Sequence, residues 1–123
     1  MDYFEDPRFK GYYFEDSFVL SVNVGLNQAV FELEAVLSKD HSDFGPPKPG
    51  EQYRYRRVEL WFKDATFDYS PSGVKPSWDA DDRWDYGNID SFTFEPPETY
   101  SLAGPWGKLT ARSSNAFVRE MTG

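Results

Sequence analysis

The chain has no cysteine and only one histidine among its 123 residues. The absence of cysteine excludes a disulfide framework, a thiolate metal site and a cysteine nucleophile. The single histidine, His41, lies in a polar turn at 39–43 and is expected to be solvated rather than the base of a catalytic triad. No G-x-S-x-G, P-loop or G-x-G-x-x-G motif is present. The sequence therefore predicts a protein without catalytic residues and without a cofactor, which is not an enzyme.

Clusters of basic residues and long apolar runs are also missing. The formal net charge is −8, and a surface that binds phosphates needs clustered lysine and arginine. Neither a nucleic acid nor a membrane is therefore an expected partner. The apolar stretches are much shorter than a membrane span, and the first residues do not resemble a secretory signal. These absences predict a cytoplasmic protein. Solubility alone accounts for the acidic surface, and a basic protein partner is compatible with it.

Aromatic residues, at 19% of the chain, are abundant and fall in segments of period two. Strict alternation is typical of an antiparallel strand with one buried face. It predicts strands over 17–24 and 28–38, joined as a hairpin through Gly25–Asn27, and a third strand over 53–63. The length is that of one domain, residues 1–123. The residues predicted to form its core are Leu20, Phe31, Leu33, Leu60 and Phe62.

The remaining segments are shorter strands and long loops rich in proline and glycine. Residues 1–11 are expected to form an irregular lead-in, with a strand starting near Tyr12, and Asp64–Ala65 to interrupt the third strand as a bulge or turn. Short strands are predicted over the ranges 89–95, 99–102, 108–112 and 116–119, although 114–121 could instead be helical, and long loops over 38–52 and 70–88. This pattern predicts an all-β fold, either an antiparallel β-sandwich or a small flattened barrel, with long Pro/Gly-rich loops.

The segment 79–90 is dense in carboxylates, which are the groups that bind a hard cation. Its spacing does not fit a calcium loop of the EF-hand type, and Arg83 within it would oppose a cation. No metal site is therefore predicted. Trp78 and Trp84 beside Asp79 and Asp85 also permit a carboxylate-based hydrolase acting on sugars, as a distant alternative. A solvated turn that leads into the next strand is the simpler interpretation.

The strand 53–63 carries large amphipathic residues on one face. If Val58, Leu60 and Phe62 point into the core, the residues that lie together on the opposite face are Tyr53, Tyr55, Arg57 and Trp61. Tyrosine, tryptophan and arginine dominate protein interfaces. Alternatively, Trp61 is itself a core residue, and the adjacent arginines Arg56 and Arg57 pair across strands with Glu32 and Glu34.

Several short motifs resemble those of a family of small uncharacterised bacterial all-β proteins. They are Phe14-Glu15-Asp16-Ser17, Pro49-Gly50-Glu51, the run Tyr53–Arg57, the run Tyr86–Phe92, and Leu102-x-Gly104-x-Trp106-Gly107. The resemblance spans most of the chain, and it implies no catalytic residue because no activity is attached to the group. In composition alone, the chain also resembles immunity proteins that neutralise cationic toxins.

The sequence leaves three hypotheses for function. The first is a non-enzymatic protein-interaction module, an immunity-type or regulatory binder of a basic partner, whose oligomeric state stays open. Its predicted partner-binding residues are Trp61, Trp78, Asp79, Asp81, Asp82, Trp84, Asp85 and Tyr86. The second is a small β-barrel with an interior pocket for an apolar or aromatic ligand. The third is the hydrolase. The loop 70–88 is expected to project as a binding loop, or else to fold back as a lid over one end of the sheet.

Overall fold

The computed structural model describes residues 7–42, 44–46, 49, 54–71, 77–78, 84–85 and 87–121, with the backbone alone at 7, 77–78 and 84–85. A 3₁₀ turn, Pro7–Phe9, precedes eight strands: β1 (Tyr12–Val24), β2 (Ala29–Leu37), β3 (Tyr55–Pro71), β4 (Ser77–Trp78), β5 (Trp84–Asp85), β6 (Ser91–Glu95), β7 (Thr99–Gly104) and β8 (Gly107–Glu120). Six of them form one antiparallel sheet in the order β1-β2-β3-β8-β7-β6, and β4 pairs with β5. The prediction of an all-β antiparallel fold is confirmed. In the described ranges, no helix is long and apolar enough to cross a membrane.

The predicted hairpin of the first two strands is confirmed. β1 pairs antiparallel with β2, and the Gly25 N–H donates a hydrogen bond to the Gln28 carbonyl at 2.8 Å to close the turn. Leu26 lies at the tip and is 97% exposed. β2 then pairs with β3 through eight register partners without a shift. The alternation of β2 and β3 buries Phe31, Leu33, Leu60 and Phe62 completely, as predicted.

The predicted core position of Leu20 is wrong, because β1 contains a bulge. Register partners run from Val19 opposite Leu33 to Ser21 opposite Glu32, so Leu20 is the extra residue. One extra residue changes the alternation of the side chains before it relative to those after it, where Val22 and Val24 pack against the core. As a result Val19 is fully buried and Leu20 is only half-buried.

β3 and β8 form a long two-stranded ribbon, in which β8 is one continuous strand. The sequence predicted strands over 108–112 and 116–119, or a helix over 114–121, and the structure corrects both to Gly107–Glu120. The predicted bulge or turn at Asp64 is also corrected, because the pairing of β3 with β8 keeps one register on both sides of it. Asp64 instead adopts a left-handed backbone with φ of 50°, and the next residue, Ala65, donates its N–H to the Asn27 carbonyl at 2.8 Å.

The left-handed backbone of Asp64 predicts that Asp64 and Asp68, both on β3, respond differently to the same substitution. We expect Asp64→Val to lower the free energy of unfolding by about 1–3 kcal/mol, because a β-branched residue is strained at positive φ. Asp64→Gly should cost much less, since glycine adopts this backbone freely. Asp68→Val, at an exposed position with ordinary strand pairing on β3, is the control and should be neutral or slightly stabilising. Urea unfolding curves check this, and equal losses for both valine variants would contradict it.

The six-stranded sheet curls into a half-barrel. The curl places β1, at one edge of the sheet, next to the residues that precede β6, at the other edge. Glu15 and Phe18 form isolated bridges with Ile89 and Asn88. The Val19 N–H donates to the Gly87 carbonyl at 2.9 Å, and the Ile89 N–H donates to the Ser17 carbonyl at 3.1 Å. The curl therefore places residues 15–19 and 87–89, which are far apart in the sequence, side by side.

Aromatic rings fill the concave side of the sheet. Tyr100 lies at the centre of this group, stacked on Phe94 with ring centroids 4.7 Å apart and tilted against Phe62 at 5.2 Å. The N-terminal turn adds Phe9, which is fully buried although the sequence predicted an irregular lead-in. The buried rings of this core are Phe9, Tyr12, Phe14, Phe31, Phe62, Phe92, Phe94, Tyr100 and Trp106.

Candidate functional site

The predicted partner-binding residues of the 70–88 loop lie largely outside the described part of the chain. Asp79, Asp81, Asp82 and Tyr86 are not among the described residues. The backbones of Trp78 and Trp84 are direct partners in the small β4–β5 ladder, and Asp85 is the partner of Ser77. The loop therefore contains a short antiparallel ladder, and its role in binding stays a prediction.

The curl of the sheet concentrates acidic residues at one edge, which we name the acidic seam: Glu15, Asp16 and Asp90. Glu15 bridges to Ile89, and the Asp16 N–H donates to the Ile89 carbonyl at 3.3 Å. Asp90 follows directly and donates its N–H to the Ala103 carbonyl at 2.8 Å. Asp16 and Asp90 are both exposed. Asp85, the last residue of β5, precedes Asp90 in the same acid-rich segment of the sequence, 79–90. The sequence alone did not indicate Glu15 and Asp16.

Trp61, the remaining predicted site residue, lies on the convex side of the sheet. It is half-buried and stacks on Phe117 of β8, with ring centroids 5.9 Å apart and planes 7° apart. The Lys63 ammonium lies over both rings, 5.3 Å from the Trp61 centroid. The Trp61 indole N–H donates to a Glu59 carboxylate oxygen at 3.2 Å. Trp61 is therefore on the face opposite the core, but its own neighbours cover part of it.

The two arginines of β3 face different surroundings. Arg57 forms an ion pair with Glu32 of β2, with its Nε 2.7 Å from Oε1, as one alternative predicted. Arg56, the preceding residue of β3, points to the opposite face, and its guanidinium is 3.3 Å from Oε1 of Glu120. Arg56 therefore contacts β8 and belongs to a second group of polar residues.

That group is a set of polar side chains around Glu120, which we name the Glu120 cluster: Tyr12, His41, Arg56 and Glu120. The Tyr12 hydroxyl donates to Oε2 of Glu120, and Nε2 of His41 lies 2.6 Å from the same oxygen. The His41 ring packs edge-on against Tyr12, with centroids 5.4 Å apart. The cluster joins β1, β3, the turn after β2 and the last residue of β8.

The expectation that His41 is a solvated loop histidine is wrong, because its side chain is only 10% exposed. The turn itself holds the residue in place. The Ser38 N–H donates to the Gly11 carbonyl at 2.9 Å, and the His41 N–H donates to the Ser38 carbonyl at 3.0 Å. Gly11 has φ of 99°, and a Cβ there would lie 3.3 Å from the His41 side chain. This close approach and the left-handed backbone both favour glycine.

The cluster shifts the ionisation of two of its members. For Glu120, burial alone would raise the pKa, but hydrogen bonds from Tyr12 and His41 and the charges of His41 and Arg56 outweigh it, so the pKa is lowered. For Tyr12, burial, the hydrogen bond to Glu120 and the charge of that carboxylate all raise the pKa. The ionised carboxylate of Glu120 is thus surrounded by hydrogen-bond donors, one of which is the neutral phenol of Tyr12. Donors that converge in this way can bind an anion.

The lowered pKa of Glu120 predicts how stability depends on acid. The unfolded chain titrates this carboxyl near 4.5 and the folded chain below it. The contribution of Glu120 is therefore present above pH 4.5 and is lost as the pH falls through the folded pKa. We expect Glu120→Gln to lower stability at neutral pH and to flatten the acid limb of the stability curve. Glu95→Gln, at an exposed residue of β6, should keep the acid limb of the wild type. Thermal melts from pH 3 to 7 check this, and a Glu120→Gln curve parallel to the wild type would contradict it.

The described residues contain no candidate metal site, and the chain matches no known protein. Among the described residues, no group of three or more histidine or acidic side chains could hold a metal ion. Comparison with protein-family models, curated proteins and solved structures finds no match to this chain. The resemblance to small bacterial proteins therefore stays a prediction.

Proposed function

We propose that this chain is a non-enzymatic protein-interaction module of an immunity type or regulatory type, which binds a basic partner protein through the acidic seam and the segment 79–90. One observation carries the proposal. The curl of the sheet joins Glu15 and Asp16 to Ile89, the residue before Asp90, so that acids from two distant segments share one edge. A cytoplasmic location, expected from the sequence, belongs to the same proposal.

The negative charges at this edge would increase the rate at which a basic partner associates. Exposed carboxylates attract a cationic partner over a distance of about 10 Å at ordinary ionic strength and speed encounter, while adding less to the final affinity. The net charge of −8 acts in the same direction. The rings of Trp78, Trp84 and Tyr86, which the sequence places among the acids, would supply the desolvated contact area that binding needs. Trp61 would extend the surface along the convex side.

The filled interior supports an interaction module over the alternative, a barrel with a ligand pocket. Phe31 touches both Phe62 and Trp106, with ring centroids 6.3 Å and 5.0 Å apart. Phe9 and Phe14 are fully buried and fill the space toward β6. We infer a small flattened barrel rather than a sandwich, because β1 hydrogen-bonds to the residues that precede β6. Packed rings at this centre favour a structural core.

The experiment compares capture by two matched variants. The wild type, a seam variant (Asp16→Asn, Asp90→Asn) and a control variant (Glu95→Gln, Glu98→Gln) are immobilised and exposed to host extract, so that each variant loses two negative charges. Glu95 and Glu98 lie at the far end of β6 and in the following turn, so the control also removes acidic charge but outside the seam. Retained proteins are identified by mass spectrometry, and the affinity of the purified partner is measured at several salt concentrations.

We expect a basic protein to be retained by the wild type and the control variant and to be lost from the seam variant. Affinity for the purified partner should fall with rising salt, since the interaction is between exposed charges. A partner that binds all three proteins equally, or whose affinity does not depend on salt, would contradict the proposal. Turnover of a substrate that depends on the seam carboxylates would also contradict it.

A further inference from the structure

Three donors from separate parts of the fold converge on one carboxylate in the Glu120 cluster. Tyr12 comes from β1, Arg56 from β3 and His41 from the turn after β2. Tyr12 and His41 are held by contacts other than those to Glu120. Tyr12 is only 8% exposed and its ring stacks on Phe14 at 5.7 Å, while the turn hydrogen bonds to Ser38 fix the backbone of His41. These two donors are thus arranged independently of the carboxylate, and Arg56 adds a charged donor from β3.

The carboxylate itself comes from the end of a strand, where the last described bond to β3 runs from the Met121 N–H to the Arg57 carbonyl. Glu120 is the last residue of β8, and its side chain is 35% exposed. Its register partner is Val58 of β3, whereas β7 pairs with β8 only as far as Arg112. Strand ends open more readily than strand centres, because fewer bonds break when they do. Glu120 can therefore leave the donors without unfolding the core.

We propose that Tyr12, His41 and Arg56 form a binding site for a carboxylate ligand, which Glu120 occupies as an internal ligand and which an external carboxylate can take over. Hydrogen bonds to a carboxylate from charged donors are strong, and an incoming carboxylate replaces each bond that Glu120 gives up. Exchange therefore leaves none of the three donors without an acceptor. This site takes an anion and shares no residue with the acidic seam, so it goes beyond the proposed function.

The test removes the internal ligand and supplies an external one. In Glu120→Ala, we expect a lower melting temperature that sodium acetate restores in part and in a saturable way, with a millimolar dissociation constant. Because His41 is the only histidine, its ring gives a single Hε1 signal by NMR, and this signal should shift with the same dissociation constant. Acetamide, which has the same shape without the charge, and sodium chloride at equal ionic strength should have no such effect.

A second variant tests whether the named donors are responsible. Combining Glu120→Ala with Arg56→Met should abolish the rescue by acetate, while combining it with Arg57→Met should leave the rescue intact. Arg57 is the matched control, since it lies next in the chain but pairs with Glu32. N-acetylglycine, which models the C-terminus of a peptide, distinguishes the ligand source. Tighter binding than acetate indicates a chain terminus, and equal binding indicates a free or side-chain carboxylate.

The wild type must also respond, or the cluster is a structural ion pair. We expect acetate to perturb the His41 signal of the wild type in a saturable way as well, with a dissociation constant at least about tenfold weaker, because Glu120 competes. If Glu120→Ala is unfolded, acetate should refold it, since binding to the native state alone stabilises that state. No response of the wild type, rescue by acetamide, or a variant that acetate neither stabilises nor refolds would each overturn the proposal.

Discussion

Replacing Phe62 by alanine is expected to lower the free energy of unfolding by about 3–5 kcal/mol. Phe62 lies at the middle of β3 with no exposed surface. Its ring contacts Phe31 on one side and Tyr100 on the other, with centroids 6.3 Å and 5.2 Å away. These neighbours belong to β2 and β7, which are fixed by their own hydrogen bonds. The cavity left by the ring therefore cannot collapse, and the loss includes a cavity cost as well as lost burial.

Urea or thermal unfolding measures this loss, and Phe44→Ala is the matched control. Phe44 carries the same ring but is 53% exposed, so its removal should change stability by about 0.5 kcal/mol or less. A small domain has a total stability of about 5–15 kcal/mol, so the Phe62 variant should be close to unfolding. Equal melting temperatures for the two variants would show that the concave side of the sheet is not the core.

The centre of the sheet could be predicted because its strands alternate without interruption. β2 and β3 pair without a register shift, so the period-two pattern that begins at Phe31 gives the buried face directly. The pattern failed at Leu20, where a bulge shifts the phase of β1. A bulge leaves no clear mark in the sequence when both faces carry apolar residues, as they do from Phe18 to Leu20. Alternation alone could not locate it.

Because residues 113–115 are polar, the sequence did not predict that β8 is one continuous strand. Polar residues in succession are typical of a turn, and the sequence therefore predicted a break. In the structure Ser113 is buried, and its hydroxyl donates to the Lys63 carbonyl at 2.6 Å while accepting from the Asn115 N–H at 3.2 Å. A buried hydroxyl satisfied in this way is compatible with a continuing strand. The partner is 50 residues away in sequence, so a local pattern cannot reveal it.

Both polar sites depend on contacts between distant parts of the chain. The Tyr12 hydroxyl reaches Glu120 across 108 residues, and His41 reaches it across 79. Only the strand order, with β8 inserted beside β3, brings these groups together. The acidic seam similarly needs β1 to meet the chain at Ile89. The acid-rich segment 79–90 was visible in the sequence, but the acids that the fold adds to it were not.

The N-terminal turn is the part of the core that the sequence missed, and it gives the second large prediction. The ring of Phe9 lies 6.1 Å from Phe14, 5.7 Å from Phe92 and 5.9 Å from Tyr100, and is fully buried. Beside it, the Arg8 guanidinium donates to the Tyr100 hydroxyl at 2.6 Å and to the Ala116 carbonyl at 3.4 Å. The turn Pro7–Phe9 therefore ties β1, β6, β7 and β8 together rather than leading into the sheet from outside.

We accordingly expect Phe9→Ala to lower the free energy of unfolding by about 3–5 kcal/mol, as much as a change in the centre of the sheet. The four strands around Phe9 cannot all move inward, so the cavity should persist. Tyr13→Ala is the control, since this nearby ring is 42% exposed and its loss should cost about 1 kcal/mol or less. Urea unfolding of both variants, with near-ultraviolet circular dichroism to report on ring packing, makes the measurement. If Phe9→Ala unfolds like the wild type, the turn lies on the sheet without contributing to its core, and the buried position of Phe9 is overturned.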